Sequence, residues 1–226
     1  VAYYTTPQEI ITKIWIIPGA LTSVLFPAFT ASLTRNDKNT QDTFDKAVMG
    51  IFFIVLPISI MLALFAKELL SVWIGFDFAI KSAALMKVFA FGVLINCLSH
   101  IPYTLIQSAG HPRITAILHL VQLPIFVIGL WLLTSKYGSM GAAIAWLGRL
   151  ILDAFLMFSA SNNLQKWRKQ LNVFLMLSGY ICLALLAFSG LLFENLYLRV
   201  TWCLLSLFIS WLILIKYVFV NNAHIT

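Results

Sequence analysis

Charge is the scarcest property of this chain. Of its 226 residues, 15 are Lys or Arg and 8 are Asp or Glu, so 10% are charged, against roughly a quarter in a soluble domain. Hydrophobic residues reach 61% and the mean hydropathy is +0.94, a balance that excludes an ordinary water-soluble fold. The net charge of +7 is not a nucleic-acid signal, because the basic residues are scattered through connecting loops, where a positive-inside bias puts them. Cysteine is sparse as well. Cys97, Cys182 and Cys203 stand alone within apolar runs, at no metal-ligand spacing, and read as small buried hydrophobes. Glycine-rich phosphate loops, metal-ligand clusters and nucleophile–base spacings are lacking, and the loops are too short to hold much chemistry, so no catalytic residue, metal or cofactor is expected. The opening VAYYTTPQ carries no initiator Met, signal peptide or basic leader and reads as the middle of a protein. A fragment with a preceding portion is therefore expected.

What the chain has in quantity is unbroken apolar sequence. The runs 14–34, 47–66, 88–110, 114–135 and 170–193 contain no charge, and 138–160 and 198–220 carry two charged residues each. A spanning helix needs about 20 such residues, whereas barrel strands are about half as long and alternate. The expectation is an all-α polytopic membrane protein with about seven transmembrane helices, near 8–33, 46–66, 80–108, 113–134, 138–160, 171–193 and 197–220. Pro7 suits the first turn of the first helix, and Thr43 or Asp45 suits the cap of the second. AKELLSVWIG (66–75) places Leu69, Leu70, Trp73 and Ile74 at helical spacing opposite Lys67, Glu68 and Ser71, which reads as a short amphipathic helix at the outer interface. Alternate connections collect Arg35, Lys38, Lys46, Arg113, Lys166, Arg168, Lys169 and Lys216 on one side, against Lys67, Lys81, Lys136 and Arg199 on the other. The first side is expected to be cytoplasmic and the N-terminal end to face outward.

The first four expected spans each hold an interior proline, Pro18, Pro57, Pro102 and Pro124, and the last three hold none. Such helices bend, and in lipid the freed carbonyls need a partner or a wet cavity. Polar stripes accompany the bends. Asn96, Ser99, His100, Tyr103, Thr104 and Gln107 share one face of the third long span. Thr115, His119 and Gln122 repeat the pattern across the tight GHP connection, and Gln8, Thr12, Gly19, Thr22 and Ser23 form a weaker third stripe. Two explanations stand: the residues bond helix to helix, or they line a cavity. The sharpest charges are Arg149, close to the bilayer centre, and Asp153, one turn along on the same face. These are expected to neutralise each other in part. Lys13, with Glu9 one turn before it, has the spacing of a helical ion pair. His100 and His119 are of a type that can carry protons.

The motifs VAYYTTPQEI (1–10), LTSVLFPAFT (21–30), AKELLSVWIGFDF (66–78), LIQSAGHPR (105–113) and YGSMGAAIAW (137–146), in this order and spacing, resemble the C-terminal half of polysaccharide (O-antigen) flippases of the multidrug/oligosaccharidyl-lipid/polysaccharide exporter superfamily. The resemblance runs over nearly the whole chain. It departs at Gln8–Glu9, where family members often carry a basic residue after the tyrosines, and at His111, where Lys is common. The resemblance implies the second bundle of a two-bundle flippase (1–160), followed by a cytoplasmic basic loop and two trailing helices (161–226), with a first bundle preceding Val1. It implies translocation of an undecaprenyl-pyrophosphate-linked sugar unit across the bacterial inner membrane by alternating access. On this reading Arg149 and then Lys13 meet the pyrophosphate, while Asn96, His100, Tyr103, Gln107, His119 and Gln122 contact the sugar. Asp153 or His100 couples an ion. The expected partners are the lipid-linked oligosaccharide, membrane lipids, the first bundle and other polysaccharide assembly proteins, but no nucleic acid. The alternatives are a multidrug or small-cation exporter of the same superfamily, which favours acidic cavity residues, and a membrane polysaccharide polymerase, which needs a large charged loop.

Overall fold

The computed structural model describes residues 1–35, 40–165, 181–193 and 195–222. Helix α1 spans Ala2–Thr34. It starts earlier than expected, so Pro7 lies inside it and is buried. A tighter 3-10 turn interrupts α1 at Lys13–Trp15. Pro18 accounts for it: the ring has no N–H for the carbonyl of Ile14 and pushes against it, which loosens the turn before the proline. Helix α2 spans Thr40–Leu64. It too begins early, and Thr43 and Asp45 lie within its first turns instead of capping it. The hydroxyls of Ser32 and Thr40 hydrogen-bond between α1 and α2.

After a non-helical Phe65 comes the short helix α3, Ala66–Trp73, where the sequence predicts an amphipathic segment. Gly75, at φ 133°, then lets the chain turn into α4, Phe76–Ser108. The helical stretch Pro112–Gln165 is turned at Gly138, whose φ is 57° and ψ is −134°. We name the arm before the turn α5 and the arm after it α6. Helix α7 is Ile181–Leu192, and α8 is Leu196–Asn222. Part of the span expected over 171–193, and Lys38, Lys166, Arg168 and Lys169, lie outside the described residues.

No strand occurs among the described residues. Among the described residues, five helices are long and apolar enough to cross a membrane, counting the bent stretch Pro112–Leu164 once, and α7 is a shorter apolar helix. The protein is thus an all-α, multi-pass membrane protein, as its apolar runs predict. The elements alternate in direction. At one end Tyr3 stacks near Phe78, and Arg199 at the start of α8 reaches the last carbonyl of α2, Leu64. At the other end Phe44 of α2 meets Phe158 of α6.

Helix α4 is the hub, packed against α1, α2, α3 and the α5–α6 hairpin. Its Phe89 lies edge-on to both Tyr4 and Trp146. Gly92 makes room for that indole, since a Cβ there would stand 2.4 Å from Trp146. Helix α8 packs on α2. Apolar burial of this kind holds the bundle together by close packing, because lipid supplies no hydrophobic drive between helices.

Candidate functional site

Two turns set the register of the site. The end of α4 is closed by paired bonds, from Gly110 N–H to the Gln107 carbonyl and from His111 N–H to the Ile106 carbonyl. This is a Schellman closure, with glycine in the left-handed position at φ 78° where a Cβ is unfavourable. Pro112 opens α5 at the position where a missing N–H costs nothing. At the other end of α5, the Gly138 turn brings Gly141 so near the backbone that a Cβ would stand 2.0 Å from the Leu133 carbonyl oxygen. Helices α4, α5 and α6 therefore run alternately up and down, with their polar residues at matching depths.

The centre of the site is Asp153 on α6, only 8% exposed. Its Oδ1 accepts a hydrogen bond from Gln122 Nε2 at 3.0 Å, and His119 Nδ1 stands 3.4 Å from the same oxygen. Gln122 is 3% exposed and lies three residues after His119 on α5, so one face of that helix serves one carboxylate. From α4, Tyr103 stands with its ring centroid 6.4 Å from that of His119, and His100 lies within electrostatic reach of Asp153. Five residues from three helices thus gather at one depth, on the order of 15 Å from the GHP turn.

The structure divides the long polar stripe of α4 into two parts. Near the turn, Gln107 Nε2 donates to Thr115 Oγ1 at 2.8 Å, and the Thr115 hydroxyl donates to the Pro112 carbonyl. Here the polar residues tie helix to helix. One turn deeper, His100 and Tyr103 approach the Asp153 group instead, and the Thr104 hydroxyl donates back to the His100 carbonyl. Ser99 is buried with no hydrogen-bond partner for its hydroxyl. Asn96, half-buried, lies a turn beyond. The weaker stripe on α1 is largely self-satisfied, since Thr12, Thr22 and Ser23 donate to carbonyls of their own helix.

Arg149 departs from the expectation. It does not pair with Asp153, whose oxygen is taken by groups from α5, and it makes no ion pair among the described residues. Its guanidinium carbon instead lies 5.4 Å over the ring of Phe126, a cation–π stack. Arg149 and Phe126 line a cleft of about 250 Å³ between α5 and α6, with Gly129, Ala145 and Gly148 on its walls and Gln122 at its edge. Phe126 is a residue that sequence reasoning missed. Its signal was the antiparallel hairpin, because residues equally far from the Gly138 turn face each other.

Lys13 also loses its expected partner. Glu9 and Lys13 are both exposed and form no ion pair among the described residues, because Lys13 starts the 3-10 turn and leaves the α-helical register that would align them. The sequence reading also missed the ion pair that holds α8 against α3. Arg199 of α8 meets Glu68 of α3 with two nitrogens, at 2.6 and 3.3 Å, and its Nη1 also donates to the Leu64 carbonyl at 2.7 Å. Separated by 131 positions, the two residues leave no local pattern. Among the described residues, no three His, Cys, Asp or Glu side chains group as a metal site.

The family model described as "Polysaccharide biosynthesis protein" matches residues 1–79. Over 157 residues the chain is 36% identical to a Shigella flexneri protein named "Putative O-antigen transporter", an alignment that takes in 70% of this chain and 37% of that protein. The chain therefore spans well under half the length of that relative. No solved structure matches it. Both matches support the resemblance carried by the ordered motifs, to proteins of polysaccharide biosynthesis.

Proposed function

We propose that the protein of which this chain forms part translocates a lipid-linked oligosaccharide, carried on a polyprenyl pyrophosphate, across the bacterial inner membrane by alternating access during surface polysaccharide synthesis. One observation carries the reading: Arg149, about 16 Å from the Gly138 turn, pairs with no carboxylate among the described residues and lines a cleft that also takes in Gln122, the partner of Asp153. A cation at that depth needs an anion or water, and a pyrophosphate satisfies it. Lys13 is the second cationic contact. His100, Tyr103, His119 and Gln122 present donors and acceptors suited to sugar hydroxyls, with Asn96 and Gln107 above and below them on the same stripe. Asp153, with His119 or His100 beside it, is the place for a coupled ion. The bundle 1–160 forms the cavity wall and 161–226 supplies the trailing helices. The first bundle and other assembly proteins complete the system, and the protein acts as a transporter, not an enzyme.

The exporter alternative favours several acidic cavity residues, and among the described residues Asp153 alone is an acidic side chain deep within a long helix. The test is rescue of a deletion strain by the full-length gene. The wild type is expected to clear accumulated untranslocated lipid-linked units. An Arg149→Ala variant that reaches the membrane in normal amounts is expected to leave them. Full rescue by that variant would remove Arg149 from the mechanism.

A further inference from the structure

A cleft of about 680 Å³ lies away from the Asp153 site, between α3 and the neighbouring parts of α1, α2 and α4. Ile10, Leu62, Leu69, Trp73 and Met86 line it, and the surface is almost wholly apolar. The one carboxylate among its walls, Glu68, is held by both arms of Arg199 and offers no free charge to a ligand. The cleft is deep. Ile10 and Met86 lie about 12 and 15 Å along their helices from the end where α3 sits, roughly half a bilayer's hydrocarbon thickness.

Two ammonium groups stand at this end, each over an aromatic ring. Lys67 lies 5.2 Å above Phe76 and Lys81 lies 5.1 Å above Tyr3. Tyr3 shares a face of α1 with Ile10, two turns away, so Lys81 overlooks the apolar track that Ile10 continues. Neither lysine forms an ion pair among the described residues, and a ring stack leaves N–H donors free. Glu9 and Asp77, the other carboxylates of this region, are exposed and line none of the cleft.

We infer that this cleft holds one acyl chain of an anionic bilayer phospholipid, with the lipid phosphate at Lys67 and Lys81. An apolar groove about half a bilayer long, with two lysines free of ion pairs among the described residues at the same end of the bundle, matches a lipid with an acidic headgroup in both shape and charge. Helix α3 forms the wall that holds the chain in place, its Leu70 buried in the protein and its Trp73 and Val72 exposed to lipid.

The test reconstitutes the full-length protein with phosphatidylglycerol bearing a diazirine in its acyl chain and maps the cross-links after irradiation. Labelling is expected to concentrate on Ile10, Leu69, Trp73 and Met86, and Leu62→Trp, which fills the cleft, is expected to abolish it. The surface substitutions Lys67→Gln and Lys81→Gln are each expected to reduce the preference for phosphatidylglycerol over phosphatidylcholine, by about fivefold per lysine. Labelling as heavy at Leu120 and Val127 on the outward face of α5, or unchanged in the Leu62→Trp protein, would overturn the proposal. So would displacement of the label by a polyprenyl phosphate at equal concentration, which would assign the cleft to the carrier lipid. None of these outcomes depends on Arg149.

Discussion

A carboxylate buried among membrane helices survives only with donors around it, and Asp153 draws its donors from α5. Gln122 is the more committed of the two, with its amide nitrogen 3.0 Å away and its side chain buried. Replacing it with Leu strips a charge-assisted bond and leaves the oxygen unsatisfied, which is expected to cost about 1–3 kcal/mol. Gln122→Glu should cost more, since it puts a second carboxylate against the first. Thermal unfolding of the full-length protein in detergent checks the order wild type, then Leu, then Glu. A Glu variant as stable as wild type would show that Asp153 is neutral or turned away. Phe126 permits a parallel test. Phe126→Leu keeps an apolar wall but removes the ring beneath Arg149, and is expected to cost about 0.5–2 kcal/mol while leaving the Asp153 group in place. The sequence named both Asp153 and Arg149 but joined them wrongly. The i, i+4 rule describes an isolated helix, and here each residue found a better partner across the hairpin.

The elements themselves were largely legible, because spanning length, charge-free runs and the GHP and YGS turns are local properties. The short helix α3 was visible for the same reason. Starts were less visible. Helices α1 and α2 both begin several residues before their expected positions, since polar residues such as Thr5, Thr6, Thr43 and Asp45 extend a helix readily once its apolar part is packed. The hairpin of α5 and α6 depends on one small residue more than the sequence suggested. Gly141→Ala is expected to push the two arms apart at Leu133, where a Cβ would stand 2.0 Å from the carbonyl oxygen, and no flexible side chain is there to yield. Gly50→Ala on α2 meets nothing within 4 Å and should be neutral or slightly stabilising, since alanine loses less backbone freedom in a helix. Measured side by side by thermal unfolding, the two alanines should move the midpoint in different directions. Equal shifts would mean that the turn relaxes without strain.

At the scale of the whole molecule, a polar contact among the described residues fastens the trailing helices to the bundle. Arg199 joins α8 to Glu68 of α3 and to the Leu64 carbonyl of α2, at a helix C-terminus where a cation is favoured. Around it Trp202 donates to the Leu186 carbonyl, and Gly190 leaves space that a Cβ would take from Trp202 and Leu64. The pair is only partly buried, with 15% and 35% of the two side chains exposed, so its worth lies below that of a fully desolvated pair. Glu68→Arg and Arg199→Glu are each expected to lower the thermal midpoint, because each sets like charges in contact. The double variant restores the ion pair with reversed polarity and should recover part of the loss. It cannot recover all of it, since a glutamate at position 199 has no N–H for the Leu64 carbonyl and places the wrong charge at the end of α2. The cycle should therefore show a favourable coupling of about 0.5–3 kcal/mol, with the double variant still below wild type. Strict additivity would show that the pair does not fasten α8, whereas complete recovery would show that the carbonyl contact contributes nothing and that the two charges alone dock the trailing helices.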